Sequence, residues 1–127
     1  MTERSQIEQL VKELHAARLA GDLERLCRVF APDARLRIAG SSDGKPIAID
    51  ASRISNIRSW LSILVKTFRL NHYELLSLTI EGASASAHWR VDIESKITGI
   101  SIPTELVDLI EVRNGRISSQ IEFFVPC

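Results

Sequence analysis

The sequence predicts an α+β fold in which helices lie together on one face of an antiparallel sheet. Two observations lead to this prediction. In the first half of the chain, apolar residues recur at helical spacing on either side of one short hairpin. From Leu70 onwards the chain has the pattern of four successive strands. Helices followed by a strand meander place the helices on one side of the sheet. A length of 127 residues fits a single domain over residues 1–127.

Composition and charge narrow the class of protein. Sixteen basic and sixteen acidic residues give no net charge and no basic cluster, which argues against nucleic acid or a membrane as partner. Cys27 and Cys127 have neither metal-type nor redox-type spacing, so we expect a reduced, cytoplasmic protein. The charged N-terminus lacks the apolar segment of a signal peptide. Three scattered histidines and the absence of a phosphate-binding loop predict no metal and no cofactor.

Three helices are predicted from spacing and caps. The first carries the apolar stripe Ile7, Leu10, Val11, Leu14 and Ala17. Gly21 should end it, and Asp22 should cap a second helix that ends before Pro32. Asp50 is predicted to cap a third helix with apolar residues from Ile54 to Phe68.

The strands follow from alternation and turn residues. A hairpin is predicted from 34–38 and 45–49, joined by the Gly40–Gly44 turn. The four later strands are Leu70–Glu81, Ala83–Ile97, Ile102–Val112 and Arg116–Val125. The turn at Asn114-Gly115 allows two registers. A two-residue turn pairs Asp108 with Ile121, whereas a three-residue loop pairs it with Gln120 and puts Glu122 on the same face as Asp108.

Ala83–Ile97 alternates over most of its length, and its two faces can be used in two ways. One face carries alanines, Trp89, Val91 and Ile93, and the other carries His88, Arg90, Asp92 and other polar residues. Either the polar row faces water, as on an ordinary surface strand, or it lines an internal cavity. The alternation alone leaves both alternatives open.

Three segments resemble the nuclear transport factor 2-like superfamily, which includes ketosteroid isomerases, SnoaL-like polyketide cyclases, limonene epoxide hydrolases and scytalone dehydratases. They are Ala20-Gly-Asp-Leu23, Phe30-Ala-Pro-Asp-Ala34 and Val112-Arg-Asn-Gly-Arg-Ile117. The resemblance covers nearly the whole chain. It implies a curved, mixed, mostly antiparallel sheet that wraps around three N-terminal helices as a cone with an internal pocket. Because this superfamily hosts many chemistries, the resemblance implies a fold more strongly than a reaction.

The resemblance also implies which residues face the pocket. Arg90, Asp92 and Glu122 match the bridging arginine, proton donor and base of the epoxide hydrolases. Asp108 matches the protonated aspartic acid of the ketosteroid isomerase oxyanion hole. The implied inward set is His88, Arg90, Asp92, Leu106, Asp108, Ile110, Gln120, Glu122 and Phe124. The trio of Arg90, Asp92 and Glu122 has a purely structural alternative, an ion-pair network, and His88 is either a proton relay or a polar wall residue. His15 is expected to be superficial, and His72 to lie at the rim or on the surface.

Some positions depart from the family pattern. Leu36, Ile38 and Leu14 stand where the relatives have water-holding or proton-carrying residues, so Leu36 and Ile38 are expected only to line the pocket. The sequence favours acid–base chemistry without a cofactor, by an isomerase, cyclase or hydrolase, on a small apolar organic ligand. The alternative is a non-catalytic binding or dimeric assembly module.

A homodimer is expected through the outer face of the sheet. If His88, Arg90 and Asp92 point inward, a large apolar patch points outward, and such patches are unusual on soluble monomers. The patch would consist of Trp89, Val91, Ile93, Val107, Leu109, Ile121, Phe123 and Val125.

Overall fold

A computed structural model of the chain describes residues 3–42 and 44–127. Its helices are α1 (Glu3–Ala20), α2 (Leu23–Arg28) and α3 (Ile54–Thr67). Its strands are β1 (Phe30–Ser42), β2 (Lys45–Ser52), β3 (Phe68–Glu81), β4 (Ser84–Ser95), β5 (Ser101–Arg113) and β6 (Arg116–Pro126). No helix in these ranges is long and apolar enough to cross a membrane.

The six strands form one sheet in the order β2-β1-β6-β5-β4-β3. Among the paired strands of the described residues, β1 and β6 run parallel, and the other four pairs are antiparallel. The helices pack on one face of this sheet, and α1 contacts β3 while α3 contacts β1 and β2. The predicted α+β class with a mixed, mostly antiparallel sheet is therefore confirmed.

The helix boundaries agree with the sequence at α1 and α2 but not at α3. The side chain of Asp22 accepts a hydrogen bond from the backbone N–H of Arg25, as an N-cap should. Asp50 is not the cap of α3, and that prediction is wrong. It lies in β2, where it forms an ion pair with Arg35, because the β1–β2 ladder continues to Ser52. Arg53, at a φ of 72°, turns the chain into α3.

The predicted hairpin strands are longer than their alternation indicated. Strand β1 begins at Phe30 and runs to Ser42, and β2 runs from Lys45. Asp43, in the predicted Gly40–Gly44 turn, lies outside the described residues.

The inner face of β4 is the apolar one, so the predicted facing of this strand is wrong. Trp89 pairs with Leu106 and Ala87 with Asp108, which places Trp89 on the same side as the buried residues of β5. Trp89 and Val91 are fully buried, whereas Arg90 is exposed. The physical reason is that helices cover only one face of the sheet, and the apolar row gains most from that dry face. The polar row remains in water.

A bulge in β6 decides the register that the sequence left open. Arg113 pairs with Arg116 across the two-residue turn, and both Asn114 and Gly115 have positive φ. The register then shifts by one residue beyond Val112, because Glu111 pairs with Ser119. Asp108 therefore lies directly opposite Glu122. Neither predicted register is correct, but the shared face of Asp108 and Glu122 is.

Gly40 lets the end of β6 lie close against β1. A Cβ at this position would come within 2.6 Å of two ring carbons and of the carbonyl oxygen of Phe124. No Cβ fits at that distance unless β1 and β6 separate. The glycine thus holds Phe124 at the place where the two strands run in parallel.

We expect Gly40→Ala to lower the free energy of unfolding by roughly 1–3 kcal/mol, the usual cost of overpacking. Urea unfolding followed by circular dichroism measures this change. Ser41→Ala, at an exposed neighbouring position, is the control and should change stability by less than about 0.5 kcal/mol. Equal stabilities for the two variants would show that β1 and β6 separate without cost.

Candidate functional site: a buried acid pair below an apolar cavity

A cavity of about 460 Å³ lies between α3 and the inner face of the sheet. Its volume falls in the range of roughly 300–1,000 Å³ that is typical of small-molecule sites. The walls are mainly apolar side chains from α3 and all strands, including Leu61, Leu64, Leu70 and Ile93. Among the residues that line it, Arg18 and Glu122 are the charged ones. The cavity therefore suits an apolar molecule with one polar end.

Arg18 and Glu122 form an ion pair at this polar end. The guanidinium Nη1 of Arg18 donates to Oε1 of Glu122. The side chain of Glu122 is 1% exposed and that of Arg18 is 15% exposed. Arg18 comes from the last turn of α1, and Glu122 from β6. The packing of α1 on the sheet therefore creates the pair.

Asp108 lies behind Glu122, and three side chains contact its carboxyl group. Trp89 Nε1 donates to Oδ2 at 2.9 Å, and Gln120 Nε2 donates to Oδ1 at 3.2 Å. His15 Nε2 lies 2.8 Å from Oδ2. The other ring nitrogen of His15 lies 2.7 Å from the hydroxyl of Tyr73. The side chains of Asp108 and His15 are almost completely buried.

Burial and the neighbouring Asp108 change the acidity of Glu122. Removal from water raises the pKa of Glu122, Arg18 opposes this effect, and the neighbouring charge of Asp108 raises the pKa further. The net effect is a pKa of about 7 for Glu122. Burial, the largest single effect, acts to lower the pKa of Arg18, but the charge and hydrogen bond of Glu122 together with the charge of Asp108 outweigh it, and the net shift of the Arg18 pKa is upward. A carboxyl that titrates near neutrality can both give and take a proton.

Asp108 and Glu122 are direct cross-strand neighbours on the buried face of the sheet. Two ionised carboxylates have only hydrogen-bond acceptors, so the negative charge of Asp108 favours the protonated form of Glu122. Arg18 supplies a positive charge beside the two carboxyls.

The predicted pocket residues of β1, β5 and β6 are on the inner face. Ile38, Leu106, Glu122 and Phe124 line the cavity. The remaining four are buried on the same side of the sheet but do not line it: Leu36, Asp108, Ile110 and Gln120. Gln120 instead orients Asp108.

The predicted pocket residues of β4 are not in the cavity. His88, Arg90 and Asp92 lie on the outer face of the sheet, so their predicted inward facing is wrong. His88 Nε2 contacts Glu105 Oε1 at 2.8 Å, and Asp92 Oδ2 contacts the exposed His72 at 2.8 Å. The trio of Arg90, Asp92 and Glu122 is not assembled, because the sheet separates its members.

Sequence reasoning missed four residues of the site: His15, Arg18, Tyr73 and Trp89. A signal existed for the first two. Arg18 continues the stripe of Ile7, Val11 and Leu14 at helical spacing, and His15 adjoins it. His15 was predicted to be superficial, which is wrong. Tyr73 had no such signal, because it lies where the β3 register shifts between Asn71 and Glu74.

Within residues 3–42 and 44–127, no three His, Cys, Asp or Glu side chains are grouped so as to hold a metal ion. His15 and Asp108 already contact Tyr73, Trp89 and Gln120. The arrangement supports proton transfer between the Asp108–Glu122 pair and a molecule in the cavity.

Comparisons with known proteins agree with this fold. The family described as a SnoaL-like domain matches residues 11–120. No curated protein matches the chain. Among solved structures, a provisionally assigned isomerase from Bacillus subtilis superposes with a TM-score of 0.84 at 17% identity, over 98% of this chain and 90% of that one.

Two further solved structures carry other activities in their names. A provisionally assigned SnoaL-like polyketide cyclase from Jannaschia sp. CCS1 gives a TM-score of 0.77 at 16% identity, over 94% of this chain and 85% of that one. An LEH-like epoxide hydrolase from M. tuberculosis gives a TM-score of 0.74 at 12% identity, over 95% of this chain and 84% of that one. At these identities the likeness establishes the fold alone. The resemblance inferred from the sequence is confirmed.

Two substitutions should move the pKa of Glu122 in opposite directions. Asp108→Asn removes the neighbouring negative charge, so the pKa of Glu122 should fall below about 7. Arg18→Met removes the neighbouring positive charge, so the pKa should rise. Carboxyl-carbon NMR titration measures both, with Glu122→Gln identifying the resonance. Shifts in the same direction in the two variants would contradict this account of the site.

Proposed function

Because the chain belongs to the SnoaL-like domain family, we propose that it catalyses proton transfer on a small, mainly apolar molecule in the cavity, with Glu122 as the acid–base group. One observation carries the proposal. Glu122 is the cavity-lining carboxyl, and it is buried, ion-paired and shifted to a pKa of about 7. A general acid or base works best when its pKa lies near the working pH.

Arg18 has the complementary role. Its guanidinium lies beside Glu122 at the polar end of the cavity, where negative charge would develop on a substrate oxygen as a proton leaves carbon. A fixed cation in an apolar, water-poor site stabilises such charge much more than water does. Glu122 would move the proton while Arg18 stabilises the oxyanion, so both groups would act on one end of the ligand.

The lining of the cavity favours isomerisation or ring closure over hydrolysis. Ile38, which lines the cavity, and Leu36, which is buried on the same side of the sheet without lining it, offer no group that would hold an attacking water. Glu122 could instead take a proton from one atom of the substrate and return it to another. The apolar walls select ligands through buried hydrocarbon surface, and the ion pair orients their oxygen.

The test is a screen of enones, epoxides and polyketide-like substrates with wild type, Glu122→Gln and Glu111→Gln. Glu111 is an exposed carboxylate on the outer face of β5 and is the matched control. We expect Glu122→Gln to lower kcat/KM by about a hundredfold to ten-thousandfold, the usual contribution of a positioned acid–base group. Glu111→Gln should leave turnover unchanged.

Binding of N-phenyl-1-naphthylamine, a neutral apolar fluorescent probe, distinguishes the alternative of a non-catalytic binding module. If both variants bind the probe like wild type and none of the three proteins turns over any substrate, the protein is a binding module. Turnover that survives Glu122→Gln would instead exclude Glu122 as the acid–base group.

The outer face of the sheet supports a second proposal, a homodimer. Its apolar centre consists of Val107, Leu109, Ile121, Phe123 and Val125. Leu109 is 40% exposed, Phe123 is 43% exposed and Val125 is 62% exposed. Val107 pairs with Phe123 and Leu109 with Ile121, so the five side chains form one patch on β5 and β6. Trp89, Val91 and Ile93 do not belong to it, contrary to the sequence prediction. A second copy of this face would cover the patch.

We expect the wild type to sediment as a dimer at micromolar concentration and Phe123→Arg to sediment as a monomer, because a buried unpaired charge is costly. Leu76→Arg is the control. Leu76 is 38% exposed on β3, outside the patch, and its replacement should leave the dimer intact. A monomeric wild type would exclude the proposed interface.

A further inference from the structure

The proposed acid–base role of Glu122 raises a question of proton supply. Glu122 is 1% exposed, and its side chain meets the cavity on one side and Arg18 and Asp108 on the others. An apolar ligand in the cavity would remove the water through which Glu122 exchanges protons. Arg18 offers no route, because a guanidinium does not give up its proton in proteins.

A row of polar side chains in contact leads from Glu122 away from the cavity. Glu122 lies directly opposite Asp108 across the β5–β6 pair, on the same buried face, and Asp108 Oδ2 lies 2.8 Å from His15 Nε2. His15 Nδ1 lies 2.7 Å from the hydroxyl of Tyr73. Glu122 lines the cavity, but Asp108, His15 and Tyr73 do not. Tyr73 is only partly buried, and it lies beneath α1 where β3 bulges. The chain thus joins the polar end of the cavity to a second side of the molecule.

We propose that Asp108, His15 and Tyr73 form a proton route through which Glu122 exchanges protons with solvent while a ligand fills the cavity. This inference rests on the proposed function and deepens it. The three residues would act through Glu122 and would not touch the substrate.

Each member of the chain can pass one proton in either direction. To deliver a proton outward, Glu122 gives it to Asp108, Asp108 gives one to His15 Nε2, and His15 releases one from Nδ1 to Tyr73. Tyr73 in turn gives its hydroxyl proton to water. One proton leaves Glu122, one enters solvent, and no other group changes its charge. The proton of neutral His15 moves from Nδ1 to Nε2 in this step, and the inward transfer, which runs through the same atoms in reverse, returns it to Nδ1. An imidazole with one nitrogen toward each neighbour is suited to this exchange.

Contacts with neighbouring side chains fix the positions of Asp108, His15 and Tyr73. Trp89 Nε1 and Gln120 Nε2 donate to the two oxygens of Asp108 and fix its carboxyl plane. The rings of His15 and Trp89 lie 4.6 Å apart between centroids, and those of His15 and Tyr73 lie 5.5 Å apart. Arg18 lies over Trp89 at 5.8 Å and adds positive charge to the same cluster. A merely structural cluster would need the same packing, so the test has to measure the rate of proton transfer to Glu122.

The experiment measures how fast Glu122 takes up a proton after a rapid drop in pH. The carboxyl C=O infrared band of Glu122 is isolated by subtracting the signal of Glu122→Gln. Each protein is measured free and saturated with N-phenyl-1-naphthylamine. Tyr73→Phe keeps the ring but removes the terminal hydroxyl. His15→Gln keeps a hydrogen-bonding side chain that cannot shuttle a proton. Leu19→Ala, which alters packing beside Trp89 but no hydrogen bond of the chain, is the control.

In wild type and Leu19→Ala, we expect the probe to leave the uptake rate nearly unchanged. In Tyr73→Phe and His15→Gln, the probe should slow uptake by roughly a hundredfold, the lower end of what a positioned proton-transfer group contributes. Leu64→Trp, whose indole should fill the cavity without added ligand, gives a second measurement in each background. The route is disproved if the filled cavity slows wild type as much as the variants, or slows none of them.

Failure of the proton route can be distinguished from failure of the proposed function. If the route is wrong but the function is right, all variants take up protons at equal rates while Glu122→Gln still abolishes turnover. If the function is wrong, either no protein turns over any substrate or Glu122→Gln leaves turnover intact, whatever the uptake rates show.

Discussion

The structure depends on the placement of two carboxyls, Asp108 and Glu122, side by side on the dry face of the sheet. The β6 bulge near Ser118 puts them opposite each other. Two buried acids repel each other unless a proton or a cation intervenes. Burial and the charge of Asp108 raise the pKa of Glu122 to about 7, and Arg18 pairs with Glu122. The position of α1 is therefore tied to the chemistry of the sheet, because its last turn must bring Arg18 over β6.

The same cluster explains why so many polar groups lie beneath α1. His15, Trp89 and Gln120 each bond Asp108, and no described residue has a buried side-chain nitrogen or oxygen without a partner. Removal of one member would leave an unsatisfied buried group, which is costly. Yet apolar residues often replace buried ion pairs without loss of stability. Because stability alone does not require such a cluster, its presence supports the proposed role in proton transfer.

The ionisable residues on the two faces of the sheet have different surroundings. On the outer face, His88 with Glu105 and His72 with Asp92 form solvent-accessible pairs, which contribute little to stability. On the inner face, the charged groups are few and desolvated, so each one perturbs its neighbours strongly. Solved structures with the same architecture carry isomerase, cyclase and epoxide hydrolase names at 12–17% identity. At these identities the likeness establishes the fold and leaves the reaction open.

The sequence by itself determined the element types and the α+β class, because local periodicity and turn residues carry that information. The inner faces of β5 and β6, and with them the shared face of Asp108 and Glu122, came from the resemblance to the superfamily. The tertiary structure decided three other things. The choice between the two rows of β4 depended on which face the helices cover, and α3 began later than its apparent cap because the β1–β2 ladder took up Asp50. The partners of the two acids came from three elements: Arg18 and His15 from α1, Trp89 from β4 and Gln120 from β6. Such contacts join residues up to 104 positions apart, and no local pattern encodes a distance across the fold.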